Sequence, residues 1–130
     1  MEQVLFICVG NSSRSQMAEA IFNHLSQGKA RAVSAGTEPA RALDPKAVAV
    51  MAELGIDIAG QKPKALTQEM VDSATRRISM GCGVQESCPA WAQPGEDWDL
   101  DDPHHQPIEV VRRIRDEIQA RVEALVKELA

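Results

Sequence analysis

Six consecutive apolar residues, Val4-Leu5-Phe6-Ile7-Cys8-Val9, end at Gly10. A continuous run of this kind, closed by glycine, predicts a strand buried on both faces, as a parallel sheet requires. After the polar turn Gly10 to Ser15, apolar residues recur at Met17, Ala18, Ile21, Phe22 and Leu25. That spacing predicts a helix, with Gly28 as its stop. Arg31 to Ala35, before Gly36, predicts a second strand. Asp44-Pro45 opens a second helix with proline in its first position and Ala47, Val50, Met51 and Leu54 on its inner face. A short helix around Thr67 to Ala74 and a weak strand from Arg76 to Met80 follow, then an irregular stretch from Gly81 to Pro107 rich in Pro, Gly, Asp and Cys. Val111, Ile114, Ile118, Val122, Leu125 and Leu129 keep steps of three and four, so the chain closes on a helix. Strands alternating with helices imply right-handed crossovers and a small parallel sheet covered on both faces. Arg76 and Arg77 conflict with an apolar central strand: either the strand is short or their side chains reach its end.

Composition narrows the function classes. A chain of 130 residues, 44% hydrophobic and 25% charged, fits one globular domain spanning residues 1–130. Such a domain buries roughly two-thirds of its unfolded surface and needs no disulfide staples. Its three cysteines, an odd count with no charged-then-apolar opening segment, point to a cytoplasmic protein rather than a secreted disulfide framework. No apolar run approaches a membrane span, and a net charge of −5 argues against nucleic acid or an anionic membrane as partner. What needs a reason is three thiols in a chain that does not need them to fold.

The first turn offers one. Arg14 follows Cys8 by six residues, at the passage from the first strand to the first helix, where α/β sheets bind ligands. Gly10 and Asn11 tolerate positive φ, so successive N–H groups of Val9, Gly10, Asn11, Ser12 and Ser13 can curl into an anion nest. The helix N-terminus adds positive potential, and Arg14 supplies a planar bidentate donor for a tetrahedral oxyanion. The same field stabilises a thiolate and makes Cys8 a nucleophile, with Ser12, Ser13 and Ser15 able to donate to the sulfur or tighten the loop. The plainer alternative is that Cys8 is a small buried hydrophobe at a strand end.

The residues Cys8-Val9-Gly10-Asn11-Ser12-Ser13-Arg14-Ser15-Gln16-Met17-Ala18-Glu19 resemble the phosphate loop of low-molecular-weight protein tyrosine phosphatases. They are closer still to the thioredoxin-coupled arsenate reductases built on that fold. Ser34-Ala35-Gly36, Ala47 to Ile58, Trp98 to Pro103 and the closing helix extend the resemblance over nearly the whole chain. The fold it implies is α/β: a single domain with a four-stranded parallel sheet flanked by helices. Cys82 and Cys88 resemble the second and third redox cysteines of the reductases, which the plain phosphatases do not need. Those phosphatases tend to carry tyrosine beside the Asp-Pro pair, whereas this chain has none and continues Asp102-Pro103-His104-His105.

Reducing arsenate takes two electrons, and two thiols forming a disulfide supply two. The resemblance implies that Cys8 attacks arsenic while Arg14 and the loop N–H groups from Val9 to Ser15 hold the oxygens, with Asp102 as general acid. Cys82 would then attack Cys8, and Cys88 would leave a Cys82–Cys88 disulfide for thioredoxin to reduce. Phosphate and sulfate would bind as analogues, a monomer is expected, and the alternative is a phosphatase of small or tyrosine phosphate esters. Zinc at Cys82 and Cys88 is disfavoured by five intervening residues and no second pair, so no metal is expected. Asp97, Asp99, Asp101 and the His104-His105 pair read as solvated surface, and Trp91 and Trp98 as packing anchors. Some relatives hold potassium at positions resembling Asn11, Glu19 and Ser34, with an acidic residue where Lys64 stands. Here the Lys64 ammonium is expected to replace the ion and order Asn11; the plainer alternative is a surface lysine.

Overall fold

The computed structural model describes residues 2–81 and 95–129. Cys82, Cys88 and Trp91 lie outside the described residues, so expectations resting on them are not addressed by its geometry.

Strand β1 (Glu2–Cys8) leads through helix α1 (Arg14–Ser26) to β2 (Ala30–Gly36), then α2 (Pro45–Ala52), α3 (Gln68–Ser73), β3 (Arg76–Ser79), β4 (Glu96–Asp97) and α4 (Ile108–Leu129). The strands form one parallel sheet in the order β2-β1-β3-β4. Central β1 explains the unbroken apolar run: Val4, Leu5, Phe6 and Ile7 are fully buried because both faces of the strand are covered. The chain winds from β1 to β2 on one side and returns to β3 on the other. The carboxyl end of β1 is therefore the switch point where loops diverge and leave a crevice.

The helices follow their apolar spacing. Helix α1 packs on β1, β2 and α4, and buries Met17, Ala18, Ile21 and Phe22. Gln27, not Gly28, takes the left-handed cap position, and Gly28 continues the turn at φ +86°. Asp44 caps α2 by accepting from Lys46 N, with Pro45 in the first turn as its sequence demands. Helix α4 lays Val111, Ile114, Ile118, Val122 and Leu125 on the core. On the same helix Arg115 is almost buried; it donates to Val50 O at 2.9 Å and to Glu53 at 2.6 Å, which satisfies the end of α2.

Two details depart from the sequence pattern. Within the stretch expected to be irregular, Glu96 and Asp97 pair with Ile78 and Ser79 and complete the sheet. The arginine conflict resolves as a short strand whose first side chain escapes: Arg76 reaches Glu96 at 2.6 Å and Glu128 at 2.9 Å. Those hydrogen bonds, Glu96 foremost, hold the Arg76 guanidinium above its ordinary pKa.

Candidate active site

The turn after β1 is built from outside inward. The carbonyls of Cys8, Val9, Gly10 and Ser12 accept hydrogen bonds from Thr37, Glu38, Ala40 and Asp44, at 3.2, 2.8, 2.9 and 2.9 Å. In a trans peptide the next N–H points opposite its carbonyl, so tying the oxygens outward turns the amides toward the interior of the loop. Gly36 makes the approach possible: a Cβ there would stand 2.7 Å from Val9 O and 3.0 Å from Asn11 Cβ. The loop encloses a pocket of about 240 Å³ lined by Cys8, Val9, Gly10, Ser12, Ser13, Arg14, Ala40, Asp102 and His104. Ser13 Oγ is buried on this lining without a partner among the described residues, and α1 begins at the next residue. An orphan hydroxyl and a helix N-terminus beside inward amides suit an oxyanion.

Cys8 is 3% exposed, and its Sγ receives the Asn11 N–H at 3.1 Å. Ser15 Oγ is 2.8 Å from the same sulfur, and the neighbours decide which group donates. Asn11 Oδ1 meets the backbone N–H of Lys64 at 2.8 Å, a contact only an oxygen can accept. The other side of the amide is therefore the NH₂, which donates to Ser15 Oγ at 2.7 Å and Ser34 Oγ at 3.0 Å. Asn11 Nδ2 can only donate, so of the two partners of Ser15 Oγ the sulfur is the one that can accept its hydrogen. Two donors thus face the Cys8 sulfur. Asn11 itself sits at φ +51°, fully buried, its Oδ1 also accepting from Gln16 Nε2 at 2.9 Å.

The nearly buried Arg14 guanidinium closes the other wall. Its Nη1 donates to Met80 O at 2.8 Å and Leu100 O at 3.3 Å, and its Nη2 lies 3.9 Å from Asp102 Oδ1. Asp102 is half-exposed at the pocket mouth, where Oδ1 accepts from His104 N at 3.0 Å.

The expected site residues are thus sorted. Cys8, Val9, Gly10, Ser12, Ser13 and Arg14 line the pocket with Asp102, whereas the side chains of Asn11 and Ser15 stand behind it and support the sulfur. Of the three serines considered as sulfur partners, Ser15 bonds to it. The Lys64 ammonium meets Glu19 at 3.4 Å, and Glu19 accepts from Ser34 Oγ at 2.9 Å. It therefore touches Asn11 only through Glu19 and Ser34, while the Lys64 main chain holds Asn11 directly. His104 and His105 are exposed, as expected of solvated surface; His104 also borders the pocket, and its ring centroid lies 3.8 Å from that of His105. Trp98 does pack as an anchor, 5.4 Å from Phe6 between ring centroids. Sequence reasoning missed Gln16, buried and bridging Asn11 to Lys62 O, and Asp97, which accepts from Gly81 N at 3.0 Å and from Ser79 Oγ. Neither carries a spacing signal. Among the described residues no cluster of His, Cys, Asp and Glu is arranged to hold a metal, and no helix is long and apolar enough to cross a membrane.

A "glutaredoxin arsenate reductase" of Synechocystis sp. is 41% identical over 133 residues, covering all of both chains. A solved arsenate reductase in a phosphate-binding state is 40% identical and superposes with a TM-score of 0.86, again over both whole chains. A thioredoxin-dependent arsenate reductase of Corynebacterium glutamicum, 33% identical, superposes with a TM-score of 0.79 over 99% of this chain and 61% of its own. Residues 3–130 match the family described as low molecular weight phosphotyrosine protein phosphatase, and the chain belongs to that family.

Proposed function

We propose that this protein is a cytoplasmic arsenate reductase. The observation that carries the reading is the Cys8 sulfur, ordered by two donors beside Arg14 on a small polar pocket. Support comes from the sequence, where Met80, whose carbonyl binds Arg14, precedes Cys82 by two residues. Two more thiols in the same chain supply what a phosphatase has no use for.

The chemistry is a two-electron transfer. Cys8 thiolate attacks arsenic and displaces one oxygen, which leaves as water with Asp102 as proton donor; Arg14 and the inward amides hold the remaining oxygens. Cys82 thiolate attacks Cys8 Sγ, the S–As bonding pair stays on arsenic, and arsenite departs. Cys88 then attacks Cys82 and frees Cys8, so two thiols have lost two electrons and two protons to one disulfide. An external dithiol returns the electrons. We take thioredoxin as this reductant; a relative is named for glutaredoxin, so both belong in the test. The assay is arsenate-dependent NADPH oxidation with each complete reductant system. Turnover with thioredoxin that is lost in Cys8→Ser, Cys82→Ser and Cys88→Ser supports the relay. Normal turnover of Cys88→Ser refutes it, and turnover with glutaredoxin alone reassigns the reductant.

A phosphatase reading fits less well. Among the described residues lining the pocket, the only ring is His104, so an aryl phosphate has little to stack on.

We further propose that Lys64 serves in place of a monovalent cation behind the loop. Asn11 Oδ1 already accepts two N–H groups and Ser34 Oγ already donates to Glu19, so the oxygens there do not converge on an ion. Activity unchanged by replacing sodium with potassium is expected; potassium activation would refute this.

A further inference from the structure

We propose that Asp97 is a positioning residue for Arg14 and thereby sets oxyanion affinity; this rests on the oxyanion site proposed above. Arg14 Nη1 is held by the carbonyls of Met80 and Leu100, which belong to the chain segments following β3 and β4. Strand β4 has two residues, although Met80 N still reaches Ile7 O at 2.9 Å and Trp98 N reaches Ser79 O at 2.8 Å. Beyond the ladder and a 3.4 Å contact of Ser79 Oγ with Glu96 O, the Asp97 carboxylate ties the two segments to each other. Its Oδ1 accepts from Gly81 N at 3.0 Å and from Ser79 Oγ, bracketing Met80 from both sides. Gly81, at φ +88°, then lies directly on the Leu100 peptide, where a Cβ would stand 2.8 Å from Leu100 O and 2.9 Å from Leu100 N.

One side chain that does not itself line the pocket therefore adds to the ladder in fixing the Met80 carbonyl beside Leu100. Removing the carboxylate frees the Met80–Gly81 peptides to turn, and the guanidinium loses its fixed plane. A planar fork serves a tetrahedral anion only when its plane is fixed, so binding weakens. A role confined to folding would lower stability without this selective loss.

The test is inorganic phosphate binding to the fully reduced protein by isothermal titration, which needs no arsenate turnover. Asp97→Ala is expected to weaken phosphate binding roughly fivefold to tenfold, the size of one or two lost hydrogen bonds. Asp97→Asn keeps an acceptor oxygen and is expected within about twofold of wild type on the same scale. The arsenate KM should rise in Asp97→Ala by more than kcat falls. Wild-type phosphate affinity in a folded Asp97→Ala overturns the proposal. If Asp97→Ala does not fold, Ser79→Ala, which removes one of the two donors, carries the same expectation at about twofold to threefold, and its wild-type affinity overturns it. Arg14→Lys is the control for the underlying site. No phosphate binding by wild type, or no loss in Arg14→Lys, refutes the oxyanion reading itself and this inference with it.

Discussion

Replacing Ser15 by alanine tests how the sulfur of Cys8 is held. The perturbation removes one hydroxyl, 2.8 Å from a buried Sγ, which is the one partner of Ser15 Oγ able to accept its hydrogen, since Asn11 Nδ2 only donates. A hydrogen bond to a charged group contributes about 1.5–3 kcal/mol. At about 1.4 kcal/mol per factor of ten, that contribution corresponds to roughly tenfold or more in the reactivity of the sulfur it supports. Part of the loss returns as intrinsic nucleophilicity, with a Brønsted coefficient of about 0.4–0.5, so the net expectation is alkylation of Cys8 by iodoacetamide slowed about threefold to fifteenfold. The assay follows the Cys8 peptide by mass spectrometry, so that Cys82 and Cys88 do not blur the rate. Ser12→Ala is the control, since its hydroxyl lines the pocket without being a partner of the sulfur. Alkylation of Cys8 in Ser15→Ala at the wild-type rate would refute the hydrogen-bond direction argued from Lys64 and Asn11.

Other outcomes follow from the same geometry. Gly36→Ala places a methyl 2.7 Å from Val9 O, so it is expected to cost about 2 kcal/mol and lower the melting temperature by about 6–10 °C, with weaker phosphate binding. Calorimetry and titration check both, and wild-type values would mean that the loop is not pressed on β2. Hydrogen bonds from Arg112 and then Arg115 hold the Glu53 carboxyl below its ordinary value of 4.5. Since the folded state favours the ionised form, this stabilisation is complete above pH 4.5 and fades as pH falls through the lowered value. Melting temperatures of Glu53→Gln should therefore lie below wild type at neutral pH and converge on it in acid. A gap that stays constant into acid would contradict the ion-pair account.

The sequence made some of this legible because certain physics is local. A run buried on both faces is apolar throughout, so β1 was visible, and helical faces at three- and four-residue steps were visible in α1, α2 and α4. That Cys8, Gly10 and Arg14 share one pocket was legible because all three sit on the short turn between a buried strand and a helix. Strand β4 was not, since two polar residues, Glu96 and Asp97, have no periodicity and pair only because β3 is beside them. Which way the side chains of Asn11 and Ser15 point was not legible, because a polar residue's face on a loop is set by partners such as Ser34 and Lys64, distant in sequence. Arg115 lies beside an apolar stripe, and its reason for burial, the end of α2, is 65 residues away.

A single turnover decides the central claim. Fully reduced protein mixed with excess arsenate and no external reductant is expected to release one arsenite per chain, its free thiols falling from three to one. Peptide mapping of the product is expected to find the disulfide at Cys82–Cys88, with Cys8 reduced. Three thiols remaining and no arsenite formed would contradict the account.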